Sequence, residues 1–408
     1  MHTELYPIRI PPYAFFINDV SHRETTLVIA RHWSFSLQYQ PMNAIRYVSK
    51  CGLLFAHYFA SKIKLAKPPQ KESYIRAVAY LCGIFTGWNN YIRVRGGENV
   101  PLDHPFIVYG NHFLFDDPLY AHEACRIATN NHVALNAMMR DDFFIGTPLK
   151  TFLFDADEFI TYTGTYGINR EKPTLSQMKL FLGLLAEGQS FVMYPGRTRS
   201  KSGTLMEYRD EYQEPGGPSF FMNSHMRKNP DLPIAALPTM RNYNPVRKHT
   251  SIVFGPPQFL EPGSTRGEQR AFELDLIEVM SRYVEISVPQ IISAILYSRC
   301  LHSITESFST DWLTTKVKSF IESTDYPWID EEDLGDIDEA IRLTLPYLEK
   351  HGMIAVAGND ITPVPGPILS TPDLDDFLKK NPAKYMTNQL LHLTDVLELI
   401  ESMALDEN

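Results

Sequence analysis

A histidine and an aspartate stand five positions apart in the string Asn111-His112-Phe113-Leu114-Phe115-Asp116-Asp117-Pro118. Histidine titrates close to neutral pH, so it is the natural general base for removing a proton from a hydroxyl. A carboxylate that accepts a hydrogen bond from histidine Nδ1–H fixes the tautomer and leaves Nε2 to take that proton. The spacing therefore predicts a base at His112 that is oriented by Asp117. The alternative is a solvated loop histidine followed by an aspartate that caps a helix.

A second string, Tyr194-Pro195-Gly196-Arg197-Thr198-Arg199-Ser200-Lys201-Ser202-Gly203, places three basic side chains within five positions. Glycines let backbone N–H groups approach an anion closely, and an arginine fork binds phosphate oxygens through two hydrogen bonds. Arg197, Arg199 and Lys201 are therefore candidate phosphate-binding residues. The spacing is not that of a P-loop, which requires G-x-x-x-x-G-K-[ST]. The alternative is an exposed basic loop without a ligand.

Two shorter strings add to the candidate site. The string GTYGINR ends at Arg170, just before a predicted helix, and the string LPI at Leu232–Ile234 is apolar enough to line a pocket. Their alternatives are a turn with a surface arginine and an ordinary core segment.

Strands that alternate with helices must position these strings. Hydrophobic patterns predict short strands at 91–95, 105–109, 191–194, 233–237 and 252–254, a helix that begins at Pro118, and helices at 174–187 and 266–288. This order predicts an α/β fold with a mostly parallel sheet flanked by helices. Ligands of open α/β sheets bind at the carboxyl ends of strands, which is where the two longer strings are expected.

The rest of the chain falls into two flanking parts. A helix at 330–350, a hairpin at 353–364 and a helix at 382–403 resemble a small winged-helix-like module. We therefore predict an N-terminal helical segment (1–89), an α/β domain (90–290) and an acidic C-terminal module (291–408). Winged helices often bind DNA, but residues 291–408 carry 8 Lys and Arg against 21 Asp and Glu, and this charge disfavours nucleic acid as a partner.

The composition excludes several other classes of protein. Of the 408 residues, 44% are hydrophobic and 21% are charged, as in ordinary globular proteins and unlike collagen-like or disordered chains. The four cysteines occur in no C-x-x-C pair, so neither a disulfide scaffold nor a structural zinc site is predicted, and we expect no bound metal. No apolar stretch reaches the roughly 20 residues that cross a bilayer.

The stretch 25–71 is basic and amphipathic. It contains seven Lys and Arg and no Asp or Glu. Within Pro41–Lys67, apolar residues recur at steps of three and four, with Arg46, Lys50, Lys62 and Lys64 between them. Such a helix is predicted to lie on an anionic membrane, which makes the protein cytoplasmic and peripheral on the inner face of that membrane. The alternative is a helix that packs its apolar stripe on the core.

Taken in order, the strings resemble the glycerolipid acyltransferase family, which comprises glycerol-3-phosphate and lysophosphatidate acyltransferases. NHFLFDDP is similar to the first block of the family, GTYGINR to the second, YPGRTRS to the F-P-E-G-T-R-S of the third, and LPI to the fourth. The resemblance covers about residues 90–260. A looser similarity of KYMTNQLLHL, at 384–393, to the end of the larger glycerol-3-phosphate and dihydroxyacetone-phosphate acyltransferases favours glycerol 3-phosphate as the acceptor.

The resemblance implies an O-acyltransferase of phospholipid biosynthesis. Its donor would be an acyl thioester of coenzyme A or acyl carrier protein, and no cofactor would be needed. His112 would be the base, Asp117 would orient it, and Arg170 and Arg199 would bind the acceptor phosphate. The third block would add two kinds of supporting contact: charge from Arg197 and Lys201, and contacts to the oxyanion or the acceptor from Gly196, Thr198 and Ser200.

Four positions depart from the family pattern. The glutamate and glycine of the third block are Gly196 and Arg197 here, the aromatic residue of the second is Gly167, and the serine of the first is Leu114. The acceptor therefore stays open between glycerol 3-phosphate, its monoacylated product lysophosphatidate, and a sugar or amine without phosphate. A protein that binds lipid or an anionic membrane without catalysis is a further alternative, but such a protein does not require the intact His-x4-Asp pair.

Overall fold

The computed structural model describes residues 4–7, 52, 56–65, 91–113, 117–130, 132–133, 135–140, 164–169, 173–194, 199–207 and 217–406. The chain divides into two compact units. Unit 1 is Met1–Val94 with Pro118–Val192, and unit 2 is Arg95–Asp117 with Met193–Asn408. Most of the amphipathic helix predicted at Pro41–Lys67 lies outside the described residues, including Arg46 and Lys50.

The order of elements alternates between strands and helices before it becomes mainly helical. The strands are β1 (Glu4–Pro7), β2 (Tyr91–Arg95), β3 (Phe106–Gly110), β4 (Leu135–Arg140), β5 (Thr165–Ile168), β6 (Ser190–Met193), β7 (Ala235–Asn244), β8 (His249–Phe254), β9 (Gln258–Phe259), β10 (Phe308–Ser309), β11 (Ile354–Ala357) and β12 (Asp360–Pro363). The helices are α1 (Asp117–Ala128), α2 (Leu175–Ala186), α3 (Gly217–Met226), α4 (Arg266–Ser281), α5 (Val288–Leu301), α6 (Thr310–Ser323), α7 (Glu331–Gly335), α8 (Ile337–Lys350), α9 (Pro365–Leu369), α10 (Phe377–Lys380), α11 (Pro382–Asn388) and α12 (Thr394–Leu405). Residues 56–62 are also helical.

Unit 1 contains parallel strands with a helix packed on them. β4 pairs in parallel with both β5 and β6, while β1 pairs antiparallel with β2. The predicted helix at 174–187 is confirmed as α2. The side chain of Thr174 accepts from the Gln177 amide and Gln177 reaches back to the Thr174 amide, so a capping box begins the helix. Buried Phe181 of α2 makes edge-to-face contacts with Tyr166 on β5 and Phe191 on β6.

Unit 2 is organised around the long strand β7. β3 pairs with β7 in parallel, from Phe106 opposite Ala235 to Gly110 opposite Thr239. β8 and β9 pair with β7 antiparallel. Every residue of β3 and β8 is buried, as expected for strands covered on both faces. With parallel pairs and flanking helices, the predicted α/β class is confirmed.

Three predicted helices differ from the structure, and capping residues interrupt two of them. The helix predicted at 266–288 ends at Ser281, and α5 begins afresh after Ser287, which forms a capping box with Gln290 and precedes Pro289 in the first turn. The segment between the helices pairs instead with residues before α7, through hydrogen bonds between Ile286 and both Trp328 and Asp330. Asp336 likewise divides 330–350 into α7 and α8, and the helix predicted at 382–403 is α11 and α12.

The C-terminal part of unit 2 shares one hydrophobic core with the strands. The predicted hairpin is present as β11 and β12, with Gly358 at φ 66° in its turn, and β10 extends it to three strands. The core joins residues of the sheet to α5 and to the helices around it, and includes Met240, Val253, Ile291, Ile295, Phe320, Leu348 and Met386. The boundaries predicted at residues 89 and 290 stay predictions.

Candidate active site

His112 and Asp117 face each other across a short loop of unit 2. β3 ends at Gly110 and α1 begins at Asp117, so the loop between them follows the carboxyl end of a buried strand. Nδ1 of His112 lies 2.8 Å from Oδ2 of Asp117. The aspartate side chain is 2% exposed and the histidine side chain is 18% exposed. Because a carboxylate can only accept, Nδ1 carries the proton and Nε2 is the basic nitrogen.

Arg241 holds the other oxygen of the same carboxylate. Its Nη1 pairs with Oδ1 of Asp117, and its side chain is only 4% exposed. Arg241 lies on β7, beyond the residues at which that strand pairs with β3. The ion pair neutralises a carboxylate that burial would otherwise penalise. Arg241 was not predicted as a site residue, although a charged residue directly after the apolar run 232–240 was a possible signal.

Asn111 fixes the backbone at the beginning of the loop. Its Oδ1 accepts from the Arg241 amide and its Nδ2 donates to the Arg241 carbonyl, both at 2.8 Å. The side chain of Asn111 thereby extends the pairing of β3 with β7 by one residue. Arg241 consequently contacts both ends of the loop, through its backbone at Asn111 and through its side chain at Asp117.

The imidazole of His112 stacks on the ring of Tyr194. The ring centroids are 4.2 Å apart and the planes differ by 13°. Tyr194 directly follows β6 and is the first residue of the basic string. One face of the imidazole is therefore covered by an aromatic ring, which limits rotation of the histidine out of reach of Asp117.

The described part of the basic string lies next to His112. The Ser200 amide donates to the His112 carbonyl at 2.6 Å, so Arg199 lies one residue from this contact. Lys201 pairs with Asp375, whose charge also acts on Arg199. Arg170, Gly196, Arg197 and Thr198 lie outside the described residues, as does Asp116. Their predicted roles stay predictions.

Helix α11 supports this loop from the C-terminal part of the chain. Asn388 donates to the Ser202 carbonyl at 2.9 Å. Gly203 has φ 95°, and a Cβ at this position would lie 2.2 Å from the Tyr385 carbonyl oxygen. Burial raises the pKa of Tyr385, and the charge of Asp117 raises it further. Tyr385 is therefore neutral at physiological pH, and it lies close enough to Asp117 for the charge of that carboxylate to act on it.

Two buried thiols and one cluster of a histidine with two carboxylates also lie in the described part of the chain. Burial raises the pKa of Cys300 to about 11 and that of Cys125 still higher, so neither thiol is a nucleophile at neutral pH. In the described part of the chain, ligand atoms of His249, Glu285 and Asp330 lie within 4.8 Å of one another. These atoms already take part in ion pairs: His249 with Asp330 at 2.7 Å, and Glu285 with Arg95 at 3.3 Å. The arrangement could hold a cation only if those pairs separated.

Comparisons with known proteins find four chains of solved structures that are similar to this structure. No protein-family model matches the sequence, and no curated protein matches it. The structure is similar to the 1-acyl-sn-glycerophosphate (LPA) acyltransferase from Thermotoga maritima, with a TM-score of 0.36 and 15% sequence identity. The similarity covers 61% of this chain and 95% of that chain.

Proposed function

We propose that this chain is an O-acyltransferase that moves a fatty acyl group from an acyl thioester to a hydroxyl of glycerol 3-phosphate. One observation carries the proposal: His112 Nδ1 lies 2.8 Å from a buried Asp117 carboxylate, while the imidazole reaches the surface. A carboxylate that holds one ring nitrogen makes the other a proton acceptor. The order of the sequence strings supports the acyltransferase class, and the string at 384–393 supports this acceptor.

The arrangement suits direct transfer without an acyl-enzyme. The acceptor hydroxyl attacks the thioester carbonyl while Nε2 of His112 takes its proton, so that a C–O bond forms and a tetrahedral oxyanion results. The oxyanion collapses and the C–S bond breaks. The leaving thiolate takes the proton from the imidazolium. The products are an ester and a thiol, and His112 returns to its neutral form.

The acceptor phosphate requires cations beside the base. Arg199 and Lys201 are the proposed ligands in the described part of the loop, and Arg170 and Arg197 are proposed to join them. Arg199 suits this role because its planar fork can bind two phosphate oxygens at once. A phosphate at Lys201 would compete with its present partner, Asp375.

The oxyanion requires hydrogen-bond donors, each of which typically contributes about 2.7–4 kcal/mol to the transition state. The Ser200 amide already donates to the His112 carbonyl at 2.6 Å, so its role is to hold the loop. We therefore assign the oxyanion to backbone N–H groups of the stretch between Gly196 and Thr198.

Removal of the base tests the proposal. Purified protein is assayed for thiol release and ester formation with glycerol 3-phosphate or lysophosphatidate, each with acyl-CoA and acyl-ACP. His112→Ala is expected to lower kcat by about 10²–10⁴-fold with the fold retained. His302→Ala is the matched control, because His302 also pairs with a carboxylate but is 43% exposed and belongs to another part of the chain.

The possible outcomes separate the alternatives. Faster turnover with lysophosphatidate than with glycerol 3-phosphate would transfer the proposal to the monoacylated acceptor. Thiol release that is unaffected by His112→Ala would remove His112 from the mechanism. Binding of lipid vesicles without thiol release from any donor would favour the non-catalytic alternative.

A further inference from the structure

We infer that Arg241 is a positioning residue, which holds the Asp117 carboxylate so that its second oxygen fixes the tautomer of His112. The inference rests on the proposed function. Arg241 Nη1 pairs with Oδ1 of Asp117, and Oδ2 of the same carboxylate lies 2.8 Å from His112 Nδ1. Three side chains therefore form one line of contacts, from a strand of the sheet to the base.

The burial of this line explains why an arginine is needed. The side chains of Asp117 and Arg241 are 2% and 4% exposed, so water contributes little to holding the carboxylate. A buried carboxylate without a cation would turn toward other donors, including the imidazole, and would no longer be held in one orientation. A guanidinium is permanently charged and planar, so it fixes both the charge and the orientation of the carboxylate.

The backbone of Arg241 supports the same geometry. Asn111 bonds to the Arg241 amide and carbonyl at 2.8 Å each, and His112 is the next residue. One strand residue thus sets the position of the histidine through the backbone and the position of the aspartate through its side chain. The distance between His112 and Asp117 depends on Arg241 at both ends.

The charge of Arg241 also acts on the proton affinity of the base. The ionisable groups beside the pair include Arg241 on β7 and Tyr385 on α11, and Tyr194 stacks on the imidazole. Burial keeps Tyr385 neutral at physiological pH, and Arg241 is the cation that pairs with Asp117. Its loss leaves the imidazole facing an uncompensated negative charge, which stabilises the imidazolium.

Substitution of Arg241 tests the inference by measurements that a purely structural residue would not change. In Arg241→Met we expect kcat to fall by about 10–10²-fold, with the KM for acceptor changed less than about threefold. The acidic limb of the kcat/KM profile is expected to move to higher pH. Arg241→Lys keeps the charge without the planar fork, so it should recover part of kcat.

A second measurement does not depend on the reaction. ¹⁵N chemical shifts of the His112 ring, assigned by their loss in His112→Ala, report which nitrogen carries the proton. Wild type should show the Nδ1–H tautomer, and Arg241→Met a mixture of tautomers. Arg247→Met is the control. Arg247 Nε lies 2.5 Å from Oδ1 of the buried Asp333, and this pair is separate from His112. This variant should lower stability while it leaves the tautomer and kcat unchanged.

The results distinguish failure of this inference from failure of the proposed function. If His112→Ala abolishes transfer but Arg241→Met keeps kcat, pH profile and tautomer, the positioning role is wrong and the acyltransferase proposal stands. If His112→Ala transfers the acyl group at the wild-type rate, the proposed function is wrong. A tautomer of His112 that still depends on Arg241 would then show that Arg241 positions the pair, but not that the pair catalyses transfer. If Arg241→Met does not fold, Arg241→Lys decides: wild-type kcat and an unchanged pH profile would overturn the inference.

Discussion

At the scale of single residues, the two oxygens of Asp117 have different partners, His112 and Arg241. These partners determine how the amide of an asparagine at this position would be oriented. In Asp117→Asn the amide oxygen would face Arg241, which can only donate, and the NH₂ group would face His112 Nδ1. Nδ1 would then have to accept, so the proton would move to Nε2 and the base would be lost. We predict a fall in kcat of about 10⁴-fold, as expected for the wrong tautomer.

Asp116→Asn is the matched control for this prediction. Asp116 is the neighbouring carboxylate in the same string, and its loss is expected to change kcat only slightly. Steady-state kinetics of the two variants with one donor and one acceptor provide the measurement. If Asp116→Asn lowered kcat strongly and Asp117→Asn lowered it only slightly, Asp116 would be the carboxylate that orients His112.

The same residues show what a sequence can and cannot reveal about a site. His112 and Asp117 are five positions apart, so their contact could be inferred from a loop between a strand and a helix. Arg241 is 124 positions from Asp117, and their contact depends on how β7 is placed beside β3. Pairing of distant strands is set by packing of the whole sheet, which leaves no local pattern in the sequence.

At the scale of elements, the sequence predicted strands better than the ends of helices. Strands β2, β3 and β6 and parts of β7 and β8 were predicted because they are short apolar runs between turn residues, whereas β4 and β5 were not predicted. The helix predicted at 266–288 extends past the end of α4 because the apolar period continues across Arg282–Ser287, and α5 was not predicted. The capping box of Ser287 and Gln290 was visible in the sequence and marks the true beginning of α5.

An ion cluster joins β8 to the segment around α7. His249 pairs with Asp330 at 2.7 Å and with Glu332 at 3.1 Å. Burial alone would lower the pKa of His249, but hydrogen bonds to these two carboxylates outweigh it and raise the pKa to about 10. Burial and the charge of Asp330 raise the pKa of Asp333 to about 6, although Arg247 opposes the shift. A charged histidine therefore balances this acidic cluster at neutral pH.

The cluster predicts a pH-dependent contribution to stability. Because the pKa of His249 is higher in the folded chain than its unfolded value of about 6.5, its contribution is full below that value and lost as pH rises through about 10. His249→Gln should cost about 3–5 kcal/mol of unfolding free energy near pH 7, and much less at pH 10. Urea unfolding at both pH values gives the measurement.

His302→Gln is the control for the stability experiment. His302 pairs with Glu401 at 2.6 Å, but both side chains are 43% exposed. An exposed pair contributes roughly 0–1 kcal/mol, so this variant should differ little from wild type at either pH. A His249→Gln penalty that is equal at pH 7 and pH 10 would mean that His249 is not charged in the folded chain.

At the scale of the whole molecule, the charge is unevenly distributed along the sequence. The net charge is −10, yet residues 25–71 contain seven Lys and Arg and no acidic residue. In the part of this stretch that is described, Tyr58 is fully buried, while Ile63 and Leu65 are 56% and 78% exposed. The helix that contains Tyr58 thus packs one side on protein and leaves apolar side chains at its end exposed. No helix among the described residues is long and apolar enough to cross a bilayer.

This distribution predicts that the basic stretch attaches the protein to anionic membranes. Each basic side chain near such a surface contributes roughly 1 kcal/mol, and salt weakens the attraction by shortening the screening length to about 8 Å at physiological ionic strength. Replacing Arg46, Lys50, Lys62 and Lys64 by Gln should release the protein from vesicles rich in anionic lipid, in a sedimentation assay, with turnover on water-soluble acceptor retained. Replacing Lys228, Lys248, Lys350 and Lys379 by Gln is the control, because these exposed residues change the net charge equally. If both quadruple variants sediment alike, and salt has no effect, the stretch packs on the core and does not bind the membrane.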